Sequence, residues 1–390
     1  MSDFSGKWHA TFGPMELHQE GAHVQGDYVF RGVRCTLDGE IQDGRLVFTY
    51  QEPDVRGEGW FELTRKGKAF AGQWRAEGDA TWRPWVGSRV GFDGLWDTDF
   101  GRMRLVQEGE RVHGFYELAG GSLIEGRLDG DELAFTYREP GGGGEGRFVL
   151  GDDGRTFEGE WRQEGKAGWL SWQGVRTLPR ADLTWLVVLE VPWHAISSDR
   201  DYSFGNMLNE FFARQPSVRV RQRFFTNEAA LRRHLREVTL IAEPVVLLVA
   251  THGQPQGIPL DGGTAGVQTI GEGLAYAGDL RLLHFSACLL MQDPAVVAGW
   301  RALATRLGFP ISGYTTSVDW AGSAIIEFTY LDMILSRGMT PAQAAEQVLR
   351  LLPFAGDAEV EGGAIAPAGF RLVTPEGDAP RPGDGGTVYA

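Results

Sequence analysis

The chain has 390 residues, of which 42% are hydrophobic, and a formal net charge of −15. This length is enough for two or three domains, and the acidic balance argues against nucleic acid or anionic membranes as partners. The N-terminal residues are polar and no apolar run reaches the roughly 20 residues of a membrane helix, so we expect a cytoplasmic protein without membrane insertion. The two cysteines, Cys35 and Cys288, lie in different segments, which disfavours a disulfide framework and fits a reducing compartment.

The first 176 residues contain an internal repeat. The segment 4–8 recurs at 92–96, and Phe48-Thr49-Tyr50 recurs as Phe135-Thr136-Tyr137 after a one-residue slip. We interpret the two copies as β repeat 1 over 1–88 and β repeat 2 over 89–176, followed by a linker over 177–182.

Short alternating runs fill each copy, and turn residues separate them about every 8 to 12 residues, which predicts about eight antiparallel strands per copy. Either each copy closes into a small barrel or the copies form a curved meander; the alternation fits both. The many tryptophans and tyrosines are interpreted as core residues. His18, His23 and His113 lack metal-ligand spacing and are expected at the surface.

Beyond the linker, apolar runs alternate with helical patterns. The predicted strands cover 183–191, 218–225, 244–250, 280–285 and 309–314. Strands that alternate with helices predict a largely parallel sheet with helices on both faces, here over 183–375, and the residues 376–390 read as an irregular tail. The predicted fold class is therefore multidomain: all-β duplicated antiparallel barrel or meander repeats, then a C-terminal α/β sheet.

A histidine and a cysteine follow two of these apolar strands, His252 after 244–250 and Cys288 after 280–285. Because ligand sites of open α/β sheets lie outside the carboxyl ends of the strands, we expect the two side chains to meet there. The imidazole can take the proton of the thiol, and the thiolate is the nucleophile. The amides of Gly253 and Cys288 are the candidate oxyanion hole. This chemistry requires no metal or other cofactor.

The segment from about 183 to 352 resembles the caspase-like (clan CD) cysteine peptidases and is most similar to their bacterial CHAT-domain branch. The motifs that carry the resemblance are Thr251-His252-Gly253 and Ser286-Ala287-Cys288, each after an apolar strand. The resemblance implies a cysteine endopeptidase with His252 and Cys288 as its dyad, no cofactor, and a protein or peptide substrate. The sequence departs from the caspase signature, because Ser286 stands in place of its glutamine.

In that fold the substrate pocket draws on two loops. The first contains Asp199, Arg200 and Asp201, and the second contains Thr315 and Asp319. Asp319 is a candidate partner for a basic substrate side chain, and Arg200 for an acidic one. The acids on either side of Arg200 reduce its positive potential, which favours a basic or neutral residue before the cleaved bond.

The predicted function is thus a cysteine endopeptidase whose β repeats recruit the substrate or bind a regulatory partner. One alternative is a catalytically inactive caspase-like protein that acts in binding or as a scaffold. A second alternative is a serine hydrolase that uses Ser286, but no Gly-x-Ser-x-Gly elbow surrounds this residue, which argues against it.

Overall fold

The structure is a computed structural model that describes residues 3–30, 33–63, 67, 69–118, 122–129, 131–151, 154–180, 182–194, 197–198, 202–357 and 366–378. It divides into two compact units, Met1–Arg176 and Thr177–Ala390. None of the described helices is long and apolar enough to cross a lipid bilayer.

The first repeat forms a closed barrel of eight antiparallel strands. The strands are β1 Gly6–Ala10, β2 Gly13–Glu20, β3 His23–Phe30, β4 Val33–Gln42, β5 Arg45–Gln51, β6 Arg56–Leu63, β7 Ala69–Ala76 and β8 Arg83–Arg89. Consecutive strands pair with each other, and β8 returns to pair with β1. In β5, Leu46, Phe48 and Tyr50 are buried while their neighbours are exposed, as a period of two requires.

The second repeat forms a closed barrel of the same kind, in which β16 returns to pair with β9. Its strands are β9 Gly94–Thr98, β10 Gly101–Glu108, β11 Arg111–Tyr116, β12 Ser122–Asp129, β13 Glu132–Glu139, β14 Gly142–Leu150, β15 Thr156–Gln163 and β16 Leu170–Arg176. Trp85 and Trp172 occupy equivalent core positions, are both 1% exposed, and make edge-to-face contacts with the surrounding rings. The interiors of both barrels are therefore packed with side chains.

In each barrel, the arginine at the end of the last strand donates hydrogen bonds to backbone carbonyls, two of which precede the first strand. In the second barrel, the Arg176 guanidinium donates to the carbonyls of Gly154, Asp93 and Gly91 and lies 4.3 Å from the Trp96 ring centroid. Its counterpart in the first barrel, Arg89, makes the equivalent contacts to Gly67, Ser5, Asp3 and Trp8.

The second unit is built on a seven-stranded sheet with the order β18-β17-β19-β22-β23-β24-β25. The strands of this unit are β17 Thr184–Glu190, β18 Val218–Phe224, β19 Val245–Ala250, β20 Ile258–Leu260, β21 Gly263–Ala265, β22 Leu280–Ser286, β23 Ile311–Tyr314, β24 Phe370–Thr374 and β25 Gly377–Asp378. The first five strands of the sheet are parallel, and β24 and β25 are antiparallel. The short pair β20–β21 lies outside this sheet.

In the described part of the chain, six α-helices accompany the sheet: α1 Phe204–Phe212, α2 Glu228–Val238, α3 Val267–Gly273, α4 Pro294–Leu307, α5 Trp320–Leu335 and α6 Pro341–Leu351. A short 3-10 helix, Pro353–Ala355, follows α6. Alternate residues of the central strands divide between two cores. One core contains Leu248 and residues of α1, α5 and α6, and the other contains Leu247 and residues of α2, α3 and α4. The edge strand β18 carries Arg219, Arg221 and Arg223 at alternate, exposed positions.

The fold class predicted from the sequence is wrong. Strands hold 47% of the described residues and helices 21%, so the described part of the chain is mostly β. Sixteen of the described strands belong to the two closed barrels, whereas the prediction gave the chain a caspase-like α/β sheet and left the repeats open between barrel and meander. The sheet also ends in antiparallel strands. The predicted irregular tail includes β25, and residues 379–390 lie outside the described part of the chain.

Candidate functional site

Two strand ends meet at one edge of the sheet. Ala250, the last residue of β19, is in register with Ser286, the last residue of β22, and the Thr251 amide donates to the Ser286 carbonyl at 3.1 Å. Two residues further on, a Cβ atom placed on Gly253 would lie 2.1 Å from the Cys288 carbonyl oxygen. Only glycine fits at this contact. The structure thereby brings the segments that carry His252 and Cys288 together at the carboxyl ends of their strands.

The thiol of Cys288 is half-buried, and the side chain of His252, on the adjacent segment, is exposed. The Val318 amide donates to the Cys288 sulfur at 3.4 Å, and the Ser317 hydroxyl lies 3.8 Å from the same atom. The site is therefore open to solvent and provides a sulfur nucleophile with a proton acceptor on the adjacent segment.

The backbone around Cys288 makes a tight turn. Leu289 has a φ of 65°, a conformation that branched or bulky residues rarely adopt, and its amide donates to the Thr316 carbonyl at 3.1 Å. Strained residues of this kind concentrate at functional sites. Within the described part of the chain, the amides of Gly253 and Cys288 donate to no backbone carbonyl, so both are available to an oxygen atom of a ligand.

Aromatic residues that sequence reasoning missed form a wall beside the imidazole. The Trp193 ring lies 5.1 Å from the His252 ring, Tyr202 lies 6.5 Å from Trp193, and Trp320 lies 5.2 Å from Tyr202, between ring centroids. Burial raises the pKa of Tyr202 to about 12, so its hydroxyl is a neutral donor at neutral pH. The wall gives the site an apolar side next to its polar groups.

The buried carboxylate of Glu190 holds Trp193, one of these aromatic residues, in position. Glu190, the last residue of β17, is fully buried and accepts the Trp193 indole N–H at 2.7 Å and the Phe204 amide at 2.6 Å at the start of α1. The amides at a helix N-terminus favour a negative charge. The signal in the sequence was an acid at the end of an apolar strand, where burial requires such partners.

A second buried carboxylate, Glu327, binds Ser286, the nucleophile of the serine-hydrolase alternative. Glu327 is 1% exposed and accepts hydrogen bonds from Ser286 at 3.0 Å and Tyr314 at 3.0 Å, and lies 3.2 Å from the His284 Nε2 atom. Burial, followed by the Glu327 charge, raises the pKa of Tyr314 well above its usual value. Because the Ser286 hydroxyl is committed to Glu327, the serine-hydrolase alternative has no free nucleophile here.

Two of the residues predicted for a substrate pocket, Asp319 and Thr315, lie among the described residues, and each takes part in a hydrogen bond within the fold. The Asp319 carboxylate accepts the Gly322 amide at 2.9 Å and caps α5. Thr315 is half-buried, and its amide donates to the Gly369 carbonyl at 3.0 Å. Asp199, Arg200 and Asp201 lie outside the described residues.

Among the described residues, no three His, Cys, Asp or Glu side chains are placed to hold a metal ion.

Comparisons with known proteins give no family for the chain: no family model matches, and no curated protein matches. Among solved structures, HpuA from Kingella denitrificans in complex with human haemoglobin matches with 12% identity and a TM-score of 0.17, over 45% of this chain and 89% of that chain. Transferrin binding protein B from Haemophilus parasuis matches with 11% identity and a TM-score of 0.18, over 44% of each chain. Intact Ap-TbpB, with N and C lobes, matches with 10% identity and a TM-score of 0.17, over 44% of this chain and 45% of that chain.

The chain spans less than half the length of the two TbpB chains. Likenesses of this size are too slight to transfer a ligand to this chain.

These findings correct the predicted identity. No family model matches the chain, so nothing beyond the two tripeptides supports the predicted identity. Five predicted assignments are therefore wrong. They are the CHAT-domain branch, the cysteine endopeptidase, its inactive relative, the protein or peptide substrate, and the regulatory partner of such an enzyme. The physical reason is that two tripeptides after apolar strands specify a local juxtaposition of thiol and imidazole, and such a juxtaposition does not specify a reaction.

Proposed function

We propose that this chain is a ligand-binding protein whose second unit captures an electrophilic ligand on the Cys288 thiol. One observation carries the proposal: the close contact of Gly253 with Cys288, which joins an exposed imidazole and a half-buried thiol at one open edge of the sheet. Binding by a thiol needs a nucleophile, a proton acceptor and access, and these residues supply all three.

The capture is an addition in which no atom is lost. The Cys288 sulfur forms a bond to a carbonyl carbon of the ligand, while the electron pair of the carbonyl π bond moves to the oxygen. His252 takes the thiol proton and returns it to that oxygen, which gives a hemithioacetal. The amides of Gly253 and Cys288 stabilise the transient negative charge on the oxygen. Because no group leaves, the reaction is reversible and amounts to binding.

The aromatic wall sets the class of ligand. Trp193 and Tyr202 are half-buried and Trp320 is 54% exposed, so they offer ring faces to an apolar, planar group beside the carbonyl. An aromatic aldehyde combines such a group with an electrophilic carbon. The thiol must stay reduced, which fits the cytoplasmic location that we propose for the chain.

The test is alkylation by iodoacetamide, read by mass spectrometry of peptides that contain each cysteine. Cys35 is a control within the same molecule, because it is 1% exposed and burial raises its pKa. We expect Cys288 to react at least about 100-fold faster than Cys35, His252→Ala to slow its reaction about tenfold or more, and benzaldehyde to protect it in the wild type.

Equal reaction of the two cysteines in the folded protein would refute the open thiol site. Unchanged alkylation of Cys288 in saturating benzaldehyde would refute the ligand class, and an unaltered rate in His252→Ala would remove the imidazole from the mechanism.

A further inference from the structure

The two barrels carry grooves at equivalent places on their surfaces. The first groove has a volume of about 810 Å³ and includes Thr49, Glu58 and Arg75 in its lining. The second has a volume of about 790 Å³, and its lining includes Thr136 and Glu145. Arg162 lines the second groove where Arg75 lines the first. The same three residue types thus stand at the same strand positions in both grooves.

At each groove, a row of solvent-facing side chains crosses three strands and continues to a tryptophan just before the last strand of the barrel. The members are Thr49, Glu58, Arg75 and Trp82 in the first barrel, and Thr136, Glu145, Arg162 and Trp169 in the second. We call each set a polar–indole row. Within each row, the threonine is in register with the glutamate, and the glutamate with the arginine.

The geometry of the two rows agrees. The Arg75 Nε donates to Glu58 Oε1 at 2.7 Å, and the Arg162 Nε donates to Glu145 Oε1 at 2.7 Å. Each guanidinium stacks on the indole of its row at 4.6 Å from the ring centroid. Trp82 is 38% exposed and Trp169 is 39% exposed, so each indole keeps surface for a ligand.

Several neighbouring solvent-facing positions of the two copies have diverged, while Glu77 and Glu164 stay alike. The pairs that differ are Val47 and Ala134, Trp60 and Arg147, Ala71 and Glu158, Gln73 and Glu160, and Val86 and Gln173. Core residues of a duplication stay alike because packing requires it, but a solvent-facing position is free of that requirement. The identical rows therefore need another cause, and a shared ligand supplies one.

The grooves differ in charge, which constrains the ligand. The charged residues of the first lining are Asp38, Arg56, Glu58, Arg75, Glu77 and Asp79, a net charge of −2. Those of the second are Arg138, Glu145, Arg162, Glu164 and Lys166, a net charge of +1. A charged ligand would favour one groove and disfavour the other. A ligand common to both is therefore neutral, and a hydroxyl-rich one suits a row that offers donors, acceptors and an indole face.

We propose that the two polar–indole rows are equivalent binding sites for a neutral saccharide. The glutamate and arginine exchange hydrogen bonds with adjacent sugar hydroxyls, and the indole packs on the C–H face of a sugar ring. The chain then binds two saccharide units of the same kind, one on each barrel. This inference concerns the first unit and is independent of Cys288.

The experiment measures binding of laminarin, dextran, xylan and mannan, and of their short oligosaccharides, to the full chain by isothermal titration calorimetry. We expect one of these probes to bind with two sites per chain. Trp82→Ala and Trp169→Ala each remove one site, and the double variant binds at least tenfold more weakly. The double Trp→Phe variant, which keeps an aromatic face at both positions, retains binding.

Two controls separate recognition from folding. Val86→Ala and Gln173→Ala alter neighbouring solvent-facing positions that differ between the copies, and we expect them to leave binding unchanged. The far-ultraviolet circular dichroism of the double Trp→Ala variant should match that of the wild type. If none of the four polysaccharides binds at millimolar saccharide, or if the folded double Trp→Ala variant binds as tightly as the wild type, the proposal is overturned.

Discussion

One buried phenol, Tyr50, makes the stability of the protein depend on pH at the alkaline end. The Tyr50 hydroxyl is buried and has no hydrogen-bond partner among the described residues. Burial, with the nearby Glu52 charge, raises the pKa of Tyr50 from 10.0 to about 12. Folding therefore favours the neutral phenol. Its contribution to stability is fully present below the unfolded pKa of 10.0 and is lost as the pH rises through about 12.

We expect Tyr50→Phe to be at least as stable as the wild type at neutral pH, because the substitution removes an unpaired buried hydroxyl. Near pH 12 the wild type should have lost stability that the variant keeps. Urea denaturation at both pH values measures the two differences. A near-ultraviolet difference titration that places the ionisation of Tyr50 at its ordinary pKa would contradict the expectation.

At the scale of elements, we expect the loss of Arg89 or Arg176, the arginines at the ends of the last barrel strands, to reduce the stability of the barrels most. Arg176→Met would leave the carbonyls of Gly154, Asp93 and Gly91 without this donor and would remove the stacking on Trp96. We expect the second barrel to lose about 2 to 4 kcal/mol of stability. Equilibrium urea unfolding followed by tryptophan fluorescence provides the measurement.

The matched control is Arg127→Met, also in the second barrel. The Arg127 side chain is 81% exposed and pairs with Glu110 on the surface, so its loss should cost less than about 1 kcal/mol. If the two variants unfold at the same urea concentration, Arg176 does not fasten the barrel.

The alternation of apolar and polar residues predicted most of the individual strands, but it could not predict that the strands of each repeat close into a barrel. The exposed and buried residues of β5 follow the predicted period of two, and each repeat has the eight strands expected. Closure depends on the pairing of β8 with β1, which lie at opposite ends of the repeat. Binary pattern carries no information about such a long-range register, and for this reason barrel and meander fitted the sequence equally well.

The candidate site shows the same division. Apolar runs that end at Ala250 and Ser286 located His252 and Cys288 at strand ends. The partners of Glu190 could not be predicted in this way. Trp193 and Phe204 donate to Glu190 because of the conformation of the connection between β17 and α1, which the apolar pattern does not specify. The prediction of a peptidase reaction from His252 and Cys288 was also wrong, because short motifs specify which residues are neighbours but do not specify a reaction.

For the whole molecule, the division at Arg176 and Thr177 predicts separable behaviour. We expect fragments 1–176 and 177–390 to fold separately, because each contains its own buried cores. Fragment 177–390 should keep the alkylation rate of Cys288, and fragment 1–176 should keep both saccharide sites. Circular dichroism, alkylation and calorimetry of the fragments check this, and a fragment that folds only when mixed with the other would refute it.

Among the described residues, the sheet of the second unit has two edge strands, unlike the closed barrels, and β18 is one of them. Its Arg219, Arg221 and Arg223 are exposed along that margin. A second molecule that approached to extend the sheet would bring identical cations against each other, which opposes intermolecular strand pairing and aggregation. High ionic strength screens this repulsion, so we expect added salt to weaken the protection that these three arginines give to β18.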